Sequence, residues 1–94
     1  MSNYRVGMRF ELRVRDYFQT GNWFVIRSAG SHSPIDLVAI KGGEVVLVQC
    51  KTDGVMSNAE RAQLQELTRE TGCRVYLFSR FGRKMVSEEI KEEV

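Results

Sequence analysis

A chain of 94 residues, 43% hydrophobic and 28% charged, has the makeup of one water-soluble domain with a modest core. No apolar run is long enough to span a membrane and no signal-peptide pattern opens the chain, while two cysteines and one histidine argue against a disulfide framework or a zinc site. The net charge of +2 is uneven: residues 87–94 hold Glu88, Glu89, Glu92 and Glu93 against Lys91, a sum of −3, which leaves the preceding body at +5.

That excess suits either a solvated surface or a nucleic-acid partner. Cys50 and Cys73 read most simply as reduced thiols, and the chain is expected in a cytoplasm. No repeat, low-complexity segment or linker divides it.

The first element, residues 3–20, reads as a helix. Val6, Phe10, Val14, Tyr17 and Phe18 recur near a 3.6-residue period, and Gly21 offers a stop. Arg5, Arg9 and Arg13 recur every four residues and so form a row on one side, either solvated or set against phosphates. Residues 23–27, "WFVIR", read as a strand, with Trp23 counted as core rather than as a base-stacking platform. "SAGSHSP" follows as a loop of turn residues. His32 in that loop is exposed and within reach of a phosphate, with no visible partner for acid–base work.

"IDLVAI" and "EVVLVQCK" read as two strands of a hairpin turned by Gly42-Gly43. Ser57 and Glu60 form a capping-box pattern that opens a second helix, with Ala59, Leu64 and Leu67 inward and Gly72 at its exit. "RVYLFS" is a fourth strand. A turn at Phe81-Gly82-Arg83 leads to a short extended piece at residues 84–86, and the acidic end is read as a short helix or a frayed tail. The order α-β-β-β-α-β predicts an α/β fold with a central mixed sheet flanked by helices.

Side chains alternate across a strand, so Val45, Leu47, Gln49 and Lys51 share one face and Val46, Val48 and Cys50 the other. An amide and an ammonium at the end of an apolar face need partners. By the same alternation Asp36 shares a face with Val38 and Ile40. The Gly-Gly turn sets the start of one strand beside the end of the other, so Asp36 is expected near Gln49 and Lys51, with Asp36 as the partner of Lys51. This cluster has two readings. One is a surface ion pair with an exposed amide. The other is a Mg²⁺ site built from a carboxylate, an amide oxygen and a backbone carbonyl, with Lys51 beside it and Glu11 adding a carboxylate from the first helix.

The chain resembles the archaeal-type Holliday junction resolvases, within the PD-(D/E)XK nuclease superfamily. Gly7 and Glu11 match the family's G-x-x-x-E. "VIRSAGS" and "IDLVA" match its R-S-x-G-S and D-[IL]-V-A stretches. Where the family has E-x-K, thirteen residues after the aspartate, this chain reads Gln49-Cys50-Lys51.

The resemblance implies a restriction-endonuclease-like fold over residues 1–94 and a role for each matching residue. Asp36 resembles the metal-ligand aspartate, Lys51 the catalytic lysine, and Glu11 the helix glutamate that completes the site. Ser31 resembles the loop serine near the scissile phosphate. Arg27 and Arg9 resemble basic residues on the DNA backbone. Arg5, Arg13 and His32 extend that DNA-binding set. The metal set is Asp36, Gln49, Glu11 and the backbone carbonyl of Cys50, whose thiol points to core. Gln49 is the departure, since an amide oxygen carries no charge. Q-x-K also occurs in active branches of the superfamily.

The implied activity is Mg²⁺-dependent endonucleolytic cleavage of branched DNA, a Holliday junction above all, with Mn²⁺ as a substitute metal. A homodimer would suit paired incisions on opposing strands. Two rivals stand beside it: a nuclease of the same superfamily acting on ordinary duplex DNA, and a DNA-binding module with a weakened site.

Overall fold

Residues 3–29 and 33–92 are described by the structure, a computed structural model. Helix α1 (Asn3–Thr20) forms over the span its periodicity predicts. Phe10, Val14 and Phe18 turn inward and are buried, whereas Tyr17, expected with them, is 56% exposed and meets the core through ring contacts with Phe18 and Phe78. The helix ends in a Schellman motif. The Trp23 N–H donates to the Phe18 carbonyl and the Asn22 N–H to the Gln19 carbonyl. Asn22, rather than Gly21, takes the left-handed conformation, at φ 68°.

Strands β1 (Phe24–Arg27), β2 (Leu37–Lys41) and β3 (Glu44–Lys51) follow, then helix α2 (Asn58–Thr71) and strands β4 (Arg74–Phe81) and β5 (Lys84–Ile90). They form one five-stranded sheet in chain order. The β3–β4 pair is parallel, because α2 carries the chain back across the sheet, and the other pairs are antiparallel. At the β2–β3 turn Gly42 and Gly43 both have positive φ, which a tight hairpin of this hand requires.

The helices cover opposite faces. Leu37, Ala39, Val46, Val48 and Phe78 pack with Phe10, Val14 and Phe18 of α1. Ile35, Val75, Leu77 and Ile90 pack with Leu64 of α2. Ser57 caps α2 through the full capping box with Glu60, and Gly72 closes it at φ 70°. Ala59, expected inward, is exposed.

The acidic end departs from expectation. Residues 84–90 form a full edge strand rather than a short piece followed by a helix or a frayed tail. One apolar residue explains it: Ile90 is 1% exposed and sits opposite Val75 in the α2-side core. Its neighbours Glu88 and Glu89 put charge on an open sheet edge, which discourages pairing with other chains. Among the described residues no helix is long and apolar enough to cross a membrane.

Candidate active site

The candidate residues meet where β2 begins and β3 ends. The ladder pairs Leu37 with Val48, so a regular continuation would set Asp36 opposite Gln49. The hydrogen bonds differ. The Asp36 N–H donates to the Val48 carbonyl at 2.8 Å, one residue out of step. Asp36 and Leu37 therefore both face Val48, the two-against-one arrangement of a β-bulge. A bulge breaks alternation, and the packing records the break: Ile35 and Val38, three residues apart, lie on the same α2 side. The expectation that Asp36 shares a face with Val38 and Ile40 is thereby corrected. The bulge re-aims its carboxylate along the end of the sheet, where Oδ2 accepts the Cys50 N–H at 2.8 Å.

Glu11 comes to the same place from α1, one residue after the buried Phe10. Its Oε1 lies 3.6 Å from the Arg27 guanidinium at the end of β1. Burial and the neighbouring Asp36 charge raise the Glu11 pKa above the ordinary carboxylate value, with Arg27 opposing. Asp36 is raised too, chiefly by burial, against the Cys50 N–H and the Lys51 charge. Two half-buried carboxylates that resist ionisation together make a place that favours a cation.

Lys51 is placed differently from expectation. Its ion-pair partner is Glu60 in the first turn of α2, with Nζ 2.5 Å from Oε2. Asp36 acts on it only through the field. The reason is again the bulge, which holds Asp36 on the Cys50 N–H while the N-terminus of α2 brings Glu60 over the end of β3. Gln49 has its Oε1 buried with no hydrogen-bond partner. Cys50 packs against the α1-side core as expected, and burial with Asp36 and Glu11 nearby pushes its thiol pKa far up, so it is inert. Among the described residues no three His, Cys, Asp or Glu side chains form a metal-binding group. The available oxygens are two carboxylates and an orphaned amide.

Ser31 and His32 lie outside the described residues. Of the basic row, Arg9 and Arg13 line a groove of about 400 Å³ with Val6, Phe10 and Arg80. Arg13 also donates to the Arg83 carbonyl at 2.7 Å. Arg5 belongs to the same row by its spacing along α1. Sequence reasoning missed Glu60 as the partner of Lys51, and Arg80 and Arg83 beside the basic row. The capping box marked Glu60 for its helix alone, and no spacing rule connects the β4–β5 turn to α1.

A five-stranded mixed sheet between two helices, with carboxylates and a lysine at the end of its central hairpin, is the restriction-endonuclease-like architecture. The chain belongs to the archaeal Holliday junction resolvase (Hjc) family, whose model matches residues 2–92. It is 31% identical over 87 residues to a crossover junction endodeoxyribonuclease Hjc of Methanocaldococcus jannaschii, a match that covers 88% of this chain and 65% of that relative's length. It also superposes on the structure of Archaeoglobus fulgidus Hjc, described as a Holliday junction resolvase, with a TM-score of 0.70 and 25% identity, over 90% of this chain and 71% of that one.

Proposed function

We propose that this chain is a divalent-metal-dependent endonuclease, a single nuclease domain that cuts branched DNA such as a Holliday junction and works as a homodimer. The observation that carries the reading is the approach of Glu11 and Asp36 at the end of β3, where burial raises both carboxyl pKa values and the Asp36 charge raises that of Glu11 further, with the Lys51 ammonium within electrostatic reach of Asp36. The family and the named activities of the two relatives support the same reading.

The donor set fits a hard cation. Asp36 and Glu11 offer carboxylate oxygens, and the buried Gln49 Oε1 lacks any other partner. These residues, with the Cys50 carbonyl, would hold Mg²⁺, or Mn²⁺ in its place. Such a cation supplies a water of lowered pKa and offsets charge on the scissile phosphate. The protein supplies the rest. Asp36 is locked by the Cys50 N–H, so its free oxygen keeps one position. Lys51 directs a cation at the phosphate oxygens, where negative charge grows as water attacks and the P–O bond breaks. Arg27 steadies Glu11. Arg5, Arg9 and Arg13 give a row for the phosphates of a DNA arm, and the family resemblance adds Ser31 and His32 as phosphate contacts.

A second reading, a DNA-binding module with a weakened site, draws on Gln49, because an amide adds no charge to hold a metal. One assay separates the readings: cleavage of a four-way junction and of a linear duplex of the same sequence across a Mg²⁺ titration. Junction cleavage abolished by Asp36→Asn supports the resolvase. Equal cleavage of both DNAs points to a duplex nuclease, and tight binding without cleavage to the module.

A further inference from the structure

Phe81 ends β4 and is 79% exposed, more than any other large hydrophobic side chain among the described residues. It pairs with Lys84 across the two-residue turn Gly82-Arg83. Gly82 has φ +64° while Arg83 keeps a negative φ, the pattern of a II′ turn, so the tip is short and stiff. Single exposed apolar residues are common and by themselves mean nothing. The surroundings of this one differ. Arg80, Arg83 and Lys84 flank it, and no acidic residue occurs from Cys73 to Ser87.

Its position matters more. Strand β4 runs parallel to β3, with Ser79 opposite Lys51. Phe81 stands two residues beyond Ser79 on the same face, which sets it about 7 Å past Lys51 along the strand direction. Arg80 alternates to the other face and lines the groove with Arg9 and Arg13. The Arg13 guanidinium donates to the Arg83 carbonyl at 2.7 Å and fastens the turn to α1. The tip thus projects past the end of the sheet that holds the candidate active site. It carries an aromatic ring on the side of Lys51 and the Arg80 guanidinium on the side of α1, with Arg83 at the turn itself.

We propose that this hairpin tip reads the branch point of the DNA. Arg80 and Arg83 grip phosphates of one arm, and Phe81 stacks on the base face that a branch leaves uncovered. In a linear duplex each base is covered by its neighbours, so the ring has nothing to stack on. At a junction the terminal pairs of the arms, once unstacked, offer a free face, and stacking on it tolerates any sequence. The charge around the ring selects a polyanion as occupant, and the ring selects an exposed base. The inference rests on the nuclease reading and adds to it the element that tells branched DNA from duplex.

The test uses binding in EDTA, so that it does not depend on cleavage. The full chain is titrated against a four-way junction and a linear duplex, each carrying 2-aminopurine at the position of the branch. Phe81→Ala should weaken junction binding about tenfold and shift duplex binding by less than about twofold. It should also abolish the change in 2-aminopurine fluorescence that the unaltered protein induces at the branch. Phe81→Trp should restore both. Arg80→Ala with Arg83→Ala should weaken both DNAs and reduce the salt slope by about 2. Unchanged junction affinity in Phe81→Ala, or equal loss on both DNAs, overturns the proposal. A protein that needs Phe81 for the junction yet cuts no DNA in Mg²⁺ would uphold this inference and sink the nuclease reading instead.

Discussion

The Lys51 ammonium lies 2.5 Å from Glu60 Oε2, while the other oxygen of the same carboxylate accepts the Ser57 N–H at 3.2 Å. One side chain thus closes the first turn of α2 and holds the cation at the end of β3. A pair this exposed adds little to stability. Its effect is on where the ammonium stands. Lys51→Ala should lower the single-turnover cleavage rate at saturating DNA by about 100-fold or more, with little change in affinity. Glu60→Gln keeps an oxygen for the cap and frees the lysine, so it should lower the same rate by less and leave affinity alone. A wild-type rate in Glu60→Gln would mean that the pair does not position Lys51.

Asp36→Asn should abolish cleavage and preserve the fold, because the amide oxygen can still accept the Cys50 N–H. A cation that binds only the native state raises Tm, and the rise with Ca²⁺ should vanish in this variant. The raised pKa values of Asp36 and Glu11 add a pH signature in EDTA. The folded protein keeps these protons to higher pH than the unfolded chain, so stability from the pair falls as pH rises from the ordinary values, 3.8 and 4.5, through the folded ones. Glu11→Gln with Asp36→Asn should therefore melt above wild type at pH 7, and the gap should close as pH drops through the carboxyl range. A gap that does not change with pH would refute the electrostatic account.

Gln49→Glu puts a charge where a buried amide oxygen now has no partner. If that oxygen faces the cation, the metal concentration for half-maximal cleavage should fall while the maximal rate stays similar. Identical titrations would show that Gln49 does not touch the metal. A fall in rate at saturating metal would show that the new carboxylate captures Lys51 or repels the phosphate.

Arg9→Ala with Arg13→Ala tests the groove beside α1. Loss of two phosphate contacts should reduce the slope of log affinity against log salt by about 2, for junction and duplex alike. An unchanged slope would return these residues to solvated surface.

Ile90→Ala tests the anchoring of β5. The side chain is 1% exposed, and its truncation should cost about 2–5 kcal/mol in urea denaturation. A cost below about 1 kcal/mol would mean that the edge strand contributes little to the core.

Much of this architecture is local and could be read from the chain. The apolar period over residues 3–20, the Gly42-Gly43 turn and the Ser57–Glu60 capping box each depend on residues a few positions apart, and each forms as expected. The hairpin register also brought Asp36 to the end of β3. What only the tertiary structure decided is where the charged groups point. Asp36 leaves the face that alternation assigns it because its N–H bonds to Val48 out of register, and strand periodicity carries no mark of a bulge. Lys51 meets Glu60 because the packing of Leu64 onto Ile35 and Val75 sets α2 over the sheet, a contact among residues distant in sequence. The tail becomes β5 because one buried isoleucine outweighs the acidic residues around it, and composition weighs all of them alike. Local rules set which elements form. The direction of a carboxylate or an ammonium follows from long-range packing, which short spacings do not encode.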